Sequence, residues 1–362
     1  MKKLSALVLA AAFLAACSDD NNPLGPTPEA AMPRTDTNGP IVAMTRNMYI
    51  GADVDRVIAA LAGLSGEDPQ AALAAALQEF VGTDLPARLN ALAAEIARER
   101  PHVVGLQEVS RLSVSLPAEF GFPPVDANFL DGLIQALAVR GLSYHTVSNL
   151  NFQLSLLGGG IGLEDRDVML VSSELPLLDQ SHGTYSCPPL CIPVPGLGTL
   201  SRGWVRATTR IGSRTVTFVS THPESGDLPQ IAQLRAGQMQ ELVAGLSGVT
   251  GPVVLLGDLN DTPGSLMHQV LAGAGFVDVW QAIGNGAGYT CCHATHLQSG
   301  AFSKRIDYVM VRGGFLAGNG RVVEGAQVTV IGESPGEQVQ GAYGAIWPSD
   351  HGGVVVSLPP AR

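Results

Sequence analysis

Carboxylate, amide and histidine side chains stand beside apolar runs at several points along the chain. They are Asn47, Glu108, His222, Asp258 with Asn260, Asp307, and Asp350 with His351. These apolar runs have the length and composition of buried β-strands. A side chain that borders a strand can be held rigidly at the edge of a sheet. We therefore expect these side chains to form one active site.

The residue types match the needs of phosphoester hydrolysis. That reaction requires a cation to neutralise the phosphate, a base for the attacking water and an acid for the leaving group. The hard oxygen donors of Asn47, Glu108 and Asp350 suit Mg²⁺ better than zinc. We expect these three residues to be the metal ligands, for Mg²⁺ first and for Mn²⁺ or Ca²⁺ as alternatives.

The remaining side chains can share the proton transfers. His351 can take a proton from water, with Asp307 orienting it and stabilising its charged form. His222 can stabilise the transition state or protonate the leaving oxygen. Asp258 can position the water or serve as the base, and Asn260 can donate a hydrogen bond to a phosphate oxygen.

In this order the motifs resemble those of the endonuclease/exonuclease/phosphatase superfamily. They are Asn47, Gln107-Glu108, Thr221-His222, Gly257-Asp258-Leu259-Asn260, Arg305-Ile306-Asp307-Tyr308 and Ser349-Asp350-His351, over about residues 41–358. Each motif alone is also compatible with a turn or a helix cap, so the ordered set carries the resemblance. It implies an α/β fold of the deoxyribonuclease I type, a four-layer α/β/β/α sandwich with two mixed β-sheets face to face. It also implies an active site at one end of the sandwich and a divalent metal, usually Mg²⁺.

Details within the motifs favour some branches of this superfamily. Thr221-His222-Pro223 resembles the deoxyribonuclease I, sphingomyelinase and deadenylase branches, whereas apurinic endonucleases have Pro-Asn there. Arg305-Ile306-Asp307-Tyr308 departs from the Cys-Asp-Arg-Ile of the inositol polyphosphate phosphatases. By the same resemblance, Asp165 and Asp167 are supporting candidates for pairing with His222. The alternative for both is a solvated entry to a strand.

The N-terminus has the pattern of an export signal. Two lysines precede an apolar run, residues 4–15, which is too short for a permanent bilayer span. Leu14-Ala15-Ala16-Cys17 resembles a bacterial lipobox, which implies cleavage before Cys17 and lipid attachment to its thiol. An ordinary signal peptide is the alternative. Because Ser18 rather than Asp follows the cysteine, the resemblance favours the outer membrane.

The rest of the sequence predicts a tether followed by one catalytic domain. Residues 18–40 are rich in Asp, Asn, Pro and Thr and predict a flexible tether. Residues 41–359 contain nothing like a linker, and residues 61–82 form an insertion before a long helix. The periodicity predicts helices at residues 53–64, 68–81, 84–100, 129–140, 228–246 and 265–274. It predicts strands at residues 41–44, 102–106, 167–171, 203–211, 215–220, 252–256, 305–311 and 352–358.

The composition bears on the substrate. The chain has 21 Lys plus Arg against 32 Asp plus Glu, a formal net charge of −11. It therefore has no general attraction to DNA or to anionic membranes, although a local basic groove or a bound metal would offset this. Only 5% of residues are aromatic, whereas an exposed aromatic hairpin is expected of a lipid enzyme.

The sequence is therefore consistent with three functions. The first is an exported phosphodiesterase, such as a nuclease, that uses water activated by His and Asp. The second is a sphingomyelinase-like lipid phosphodiesterase or a small-molecule phosphatase. The third is a catalytically inactive surface-binding lipoprotein, which the intact set of acidic ligands disfavours. We expect a monomer that meets the membrane only through its lipid anchor.

Four cysteines remain after Cys17. Cys187 and Cys191 can close a small loop, whereas a bond between the neighbours Cys291 and Cys292 would be strained. Cross-pairing is equally consistent with the sequence. The chain has no Cys-x-x-Cys pair or histidine cluster with zinc spacing, so a structural zinc site is disfavoured.

Overall fold

The computed structural model describes residues 39–63, 65–117, 122–194 and 198–359. The predicted signal segment with Cys17, and the tether up to residue 38, lie outside these ranges. Within the described ranges, no helix has both the length and the apolar character needed to cross a bilayer.

The described residues form seven α-helices and eighteen β-strands. The helices are α1 Val54–Leu61, α2 Pro69–Gly82, α3 Leu85–Glu99, α4 Phe129–Val139, α5 Pro229–Gly245, α6 Leu266–Gly273 and α7 Val279–Ile283. The strands are β1 Ile41–Asn47, β2 Val103–Gln107, β3 Arg111–Val114, β4 Val125–Asn128, β5 Tyr144–Leu156, β6 Ile161–Ser172, β7 Leu177–Thr184, β8 Ile192–Val194, β9 Gly198–Leu200, β10 Gly203–Ile211, β11 Arg214–Thr221, β12 Val253–Asp258, β13 Val277–Asp278, β14 Asp307–Arg312, β15 Gln327–Ile331, β16 Val339–Gly341, β17 Gly344–Ile346 and β18 Gly353–Leu358.

Two mixed sheets carry most of these strands. The first has the order β15-β18-β1-β2-β6-β3-β4, with β5 paired to β6, and the second has the order β13-β14-β12-β11-β10-β7. Strands β1 and β2 are parallel, as are β11 and β12, and the other neighbours described in the two sheets are antiparallel. The short pairs β8-β9 and β16-β17 are separate hairpins.

Apolar side chains on both faces of the sheets create four layers. In β12, Val254 and Leu256 pack between the two sheets, whereas Val253 and Leu255 pack against α5 and α6. On the other side of the molecule, α3 and α4 cover the outer face of the first sheet. Strands buried on both faces read as continuous apolar runs, which is why their positions could be predicted. The predicted four-layer α/β/β/α sandwich is confirmed.

The predicted helices are present, and their starts have a local cause. Asp53, Asp68 and Asp84 each accept a hydrogen bond from a backbone N–H in the first turn of α1, α2 and α3. Such N-caps satisfy N–H groups that have no partner within the helix. Strand β5 has no predicted counterpart, because its exposed and buried side chains alternate and leave no apolar run. Cys187 and Cys191 form a local disulfide that closes a small loop.

The close approach of the two sheets can be tested at Gly105 of β2. A Cβ at this position would lie 2.6 Å from Ser220 Oγ and 3.0 Å from Leu256 Cβ, across the interface. We expect Gly105→Ala to lower the free energy of unfolding by about 1–3 kcal/mol through overpacking, as measured by urea denaturation. Gly245→Ala is the matched control, because an added Cβ there meets no atom within 4 Å. A Gly105→Ala protein as stable as this control would contradict the interpretation.

Candidate active site

One pocket at the end of the sandwich gathers most of the predicted site residues. Its lining includes Glu108, Asp165, His222, Asp258, Asn260, Asp350 and His351. Asn47 and Asp307 lie directly behind this lining and are hydrogen-bonded to it. The parallel strands β1 and β2 of one sheet, and β11 and β12 of the other, end at this pocket. Strand ends from both sheets therefore converge on one site, as the order of the motifs predicts.

His351 makes the predicted contact with Asp307. Its Nδ1 lies 2.9 Å from Asp307 Oδ2 and 3.6 Å from Asp258 Oδ2. Because a carboxylate accepts, Nδ1 is the donor, and Nε2 is left to exchange a proton with water. Burial lowers the pKa of His351, but the facing carboxylates of Asp307, Asp258 and Asp350 outweigh burial and hold that pKa well above its usual value.

His222 lies between Arg202 and Asp258. Its Nδ1 is 3.4 Å from a guanidinium nitrogen of Arg202, and its Nε2 is 3.5 Å from Asp258 Oδ2. Arginine can only donate, so Nδ1 of His222 accepts and its proton lies on Nε2. Burial first, and then the charges of Arg202 and His351, hold the pKa of His222 well below its usual value. His222 is therefore a neutral hydrogen-bond donor.

Arg202 was not predicted as a site residue. It is buried, and its guanidinium donates to Glu224 Oε1 at 3.0 Å while lining the pocket beside His222. The predicted pairing of His222 with an acidic residue of β6 is not formed in the described structure. Asp165 lines the pocket and accepts from Asn151 Nδ2 at 3.1 Å, whereas Asp167 is fully buried. Burial raises the pKa of both carboxyl groups.

Asn47 contacts two carboxylates of the site and links the two sheets. Its Nδ2 donates to Glu108 Oε1 at 2.8 Å and to Asp258 Oδ2 at 3.1 Å, and its Oδ1 accepts from the backbone N–H of Tyr49. The role of Asn47 as a metal ligand stays a prediction.

Glu108 and Asp350 have the properties of a cation site. Glu108 Oε2 also accepts from the backbone N–H of Ile50 at 2.9 Å. Burial, and then the charge of Asp350, raise the pKa of Glu108 to about 7. Burial likewise raises the pKa of Asp350, and it raises the pKa of Asp258 to about 6. Carboxylates with raised pKa values in one pocket lack a compensating positive charge.

Donor atoms lie close enough together for a metal. Those of Glu108, His222 and Asp258 all lie within 4.8 Å of one another, and so do those of Asp258, Asp307 and His351. The carboxylate oxygens among them are the hard donors that Mg²⁺ and Mn²⁺ prefer. The residues present therefore fit a divalent cation.

The backbone that presents these side chains is unusual. Tyr49, Glu108 and Asn260 have φ values of 57°, 55° and 54°, in the left-handed region that L-residues seldom adopt. All three come just after strands that end at the site, so the chain turns sharply there. Such conformations cost of order 1–3 kcal/mol each and cluster at functional sites.

The Gly-Asp-Leu-Asn motif has a steric basis. A Cβ on Gly257 would lie 2.1 Å from the carbonyl oxygen of Thr221, so only glycine allows β12 to approach β11 beside Asp258. Asn260 Nδ2 donates to Pro223 O at 3.0 Å and ties the loops after these two strands together. The predicted donation from Asn260 to a phosphate therefore depends on the second hydrogen of the same amide.

Two buried arginines hold the segment that carries Asp350 and His351. Arg46 of β1 pairs with Glu95 of α3 at 3.0 Å and also donates to the carbonyl of His351. Arg88 of α3 donates to the carbonyls of Met48 and Tyr49, and to Pro348 O at 3.0 Å. Neither arginine was predicted as part of the site. A lone arginine within an apolar strand or helix face is the signal that could have indicated them.

Two hydroxyl groups, of Ser349 and Thr290, add to the contacts made by Arg46 and Arg88. We call these four residues the frame of the site. Ser349 Oγ donates to Asn47 O at 2.8 Å and accepts from the backbone N–H of His351 at 3.2 Å, which explains the serine in Ser-Asp-His. Thr290 Oγ1 lies 3.2 Å from the backbone nitrogen of Ile306 and 3.1 Å from that of Asp307. The carbonyl of Thr290 accepts from Gly352 N at 2.7 Å. Thr290 thus spans the Asp307 and His351 segments, and it too was missed.

Comparison with solved structures shows the class of fold. An endonuclease/exonuclease/phosphatase structure from Beutenbergia cavernae is 21% identical, with a TM-score of 0.56 over 89% of this chain and 72% of that one. A family protein from Leptotrichia buccalis is 15% identical, with a TM-score of 0.53 over 88% of this chain and 99% of that one. Humanized D. rerio TDP2 is 16% identical, with a TM-score of 0.50 over 88% and 98%. At these identities the similarity shows the shared fold alone.

The sequence itself matches the profile of the Endonuclease/Exonuclease/phosphatase family over residues 78–351. The chain therefore belongs to this family, as its motifs predict. No curated protein sequence matches the chain significantly. Membership of the family supports a hydrolase that acts on phosphoesters.

The positioning role of Thr290 can be tested by removing its hydroxyl. We expect Thr290→Val to lower kcat for phosphoester hydrolysis about tenfold, because two buried N–H groups lose their acceptor and Asp307 shifts. Thr290→Ser keeps the hydroxyl and should retain kcat near that of the unmodified protein. Steady-state kinetics with each variant give the answer. Equal kcat values for the Val and Ser variants would show that Thr290 does not position Asp307.

Proposed function

We propose that this chain is an exported, divalent-metal-dependent phosphodiesterase that uses water activated at His351. The observation that carries the proposal is the charge of the pocket. Six acidic side chains line it, and Arg202 is the single arginine or lysine among its lining residues. A phosphate group would be repelled from such a lining unless a cation were bound with it.

Glu108 and Asp350 are the residues proposed to hold the cation, because their oxygens are hard donors with raised pKa values. When bound, the cation neutralises charge on the phosphate and on nearby carboxylates, which lowers the pKa of His351 toward that of a general base. Asn47, the third predicted ligand, contacts both Glu108 and Asp258. Mg²⁺ is the proposed ion, with Mn²⁺ and Ca²⁺ as alternatives.

The tautomers of His351 and His222 indicate which histidine accepts a proton and which donates one. His351 accepts the proton of the attacking water at Nε2, because Asp307 engages Nδ1. His222 donates its Nε2–H to the phosphate or to the leaving oxygen, because Arg202 engages Nδ1 and favours the neutral ring. Asp258 lies beside both rings and orients them.

The proposed cellular setting rests on the N-terminal sequence. The lysines, the apolar run and the lipobox ending at Cys17 support export and attachment to the cell envelope, with the outer membrane favoured. We propose a monomer whose membrane contact is the lipid anchor. The alternative of an inactive binding protein has little support, because each acidic and histidine residue of the predicted set is present.

Metal-dependent hydrolysis can be tested directly. We expect the purified protein to hydrolyse bis-(p-nitrophenyl) phosphate with Mg²⁺ or Mn²⁺, to stop with EDTA and to recover with added metal. His351→Ala should lower the rate at least about a hundredfold, the usual scale for loss of a general base. His145→Ala, at an exposed position on β5, is the matched control and should retain activity. Metal-independent activity, or none on a panel of phosphoesters, would refute the proposal.

The raised pKa of Glu108 makes metal affinity depend on pH. With a pKa of about 7, protonated Glu108 predominates at pH 6 and the carboxylate at pH 8. Protons compete with the metal, so we expect Mn²⁺ to bind roughly tenfold more weakly at pH 6 than at pH 8. Calorimetry or electron paramagnetic resonance measures this. Glu108→Gln should bind weakly with little dependence on pH, and equal affinity of the unmodified protein at both pH values would remove Glu108 from the metal site.

A further inference from the structure

A second pocket, which we call the apolar pocket, lies beside the catalytic pocket. Its lining consists entirely of Ala, Val, Ile, Leu and Phe residues. Ile50, Ala52, Val54 and Ile58 line both pockets, so the two are adjacent. A molecule that joins a hydrocarbon group to a phosphate matches this arrangement.

Helix α1, together with the insertion predicted at residues 61–82, forms one wall of the apolar pocket. Val57 of α1 and Leu73 and Ala76 of α2 lie on this side, and Leu112 and Leu154 of the first sheet are among the residues of the opposite wall. Helices α1 and α2 also pack against each other. The two helices thus enclose a space beside the sheet rather than filling it.

Polar contacts fix this wall relative to the catalytic pocket. The backbone N–H of Asp53 donates to Glu79 Oε2 of α2 at 3.2 Å, and Glu79 Oε1 accepts from Thr295 Oγ1 at 3.1 Å. At the mouth of the catalytic pocket, Ser225 Oγ donates to Asp55 Oδ2 at 3.2 Å. The apolar pocket is therefore held at a defined position beside the reacting groups.

We propose that the apolar pocket binds a hydrocarbon group of the phosphoester substrate, which makes the substrate an amphiphilic phosphoester. The proposal rests on the proposed function, because it places the phosphate of the same molecule in the catalytic pocket. Empty cavities lined by apolar groups stay dry and bind hydrocarbon. The apolar pocket encloses about 60 Å³. On the scale at which an apolar cavity of about 150 Å³ binds benzene, this volume accommodates about two to three carbons.

The chemistry of the lining excludes the main alternative occupants. A nucleobase or a sugar would bury donors and acceptors against side chains that cannot bond to them, at a cost of about 1–3 kcal/mol for each group. The acidic catalytic pocket and the net charge of −11 also oppose a polyanionic strand with many phosphates. A single phosphate with an alkyl or acyl substituent meets neither obstacle.

The length of the alkyl group is the variable to test. The probes are n-alkyl p-nitrophenyl phosphates, from methyl through butyl and hexyl to decyl, assayed as monomers below their micellar concentrations. We expect kcat/KM to rise roughly three- to fourfold for each added methylene and to level off by butyl. A flat series, or a fall beyond methyl, would overturn the proposal.

Failure of the proposed function can be told apart from failure of this inference. Hydrolysis of the methyl ester reports the catalytic site alone, and the slope with chain length reports the apolar pocket. If the protein hydrolyses none of the esters, calorimetry with hexyl phosphate and methyl phosphate still tests the pocket. Tighter binding of hexyl phosphate would support the apolar pocket, and equal binding would refute it.

Substitutions that fill the apolar pocket test whether the alkyl group of the substrate binds there. We expect Ala76→Leu, which fills the apolar pocket, to reduce the ratio of kcat/KM for hexyl over methyl ester to near one. Ala74→Leu is the matched control, because Ala74 is exposed on the same helix and does not line the pocket. The ratio compares two substrates in one protein, so partial loss of folded protein cancels.

Leu73→Phe provides a second filling variant if Ala76→Leu does not fold. It also should reduce the hexyl to methyl ratio to near one. An unchanged ratio in a folded filling variant would show that the chain binds elsewhere.

Discussion

Repulsion among carboxylates at one end of the sandwich is the constraint on which much of this structure depends. Glu108, Asp258 and Asp350 face one pocket, and a buried carboxylate without a partner is costly. Hydrogen-bond donors and positive charges from distant parts of the chain stabilise these carboxylates. Asn47 bridges two of these carboxylates, and the guanidinium of Arg88 lies near enough to Asp350 to oppose the rise in its pKa. These donors leave part of the negative charge uncompensated, and a bound cation would neutralise it.

The same constraint explains why irregular backbone is concentrated here. Side chains from two sheets can converge only if the chain turns sharply as each strand ends, and Glu108 and Asn260 adopt left-handed conformations to do so. Buried contacts from elsewhere must stabilise these conformations. Arg46 supplies one of them, because it joins β1, α3 and the carbonyl of His351. The packing of the core therefore helps to fix the backbone of the site. A substitution in the frame would shift the groups that transfer protons.

Much of the fold and of the site could be predicted because short stretches of sequence are enough to indicate them. Strands buried on both faces appear as apolar runs, and polar residues that border them, such as His222 and Asp258, mark the site. The frame residues escaped prediction because their partners are far away in the chain, as Thr290 is from Gly352. The orientation of the Asn47 amide likewise depends on a contact with the backbone N–H of Tyr49, which the sequence does not display.

Ile50 joins the two halves of the proposed substrate site. Its backbone N–H donates to Glu108 Oε2, and the residue lines both the catalytic and the apolar pocket. An apolar wall beside ionisable groups lowers the local dielectric constant, which raises carboxylate pKa values and strengthens their attraction to a cation. A hydrocarbon group that displaces water from this wall would strengthen that attraction further. Recognition of an apolar substituent and retention of the metal would then reinforce each other through Glu108.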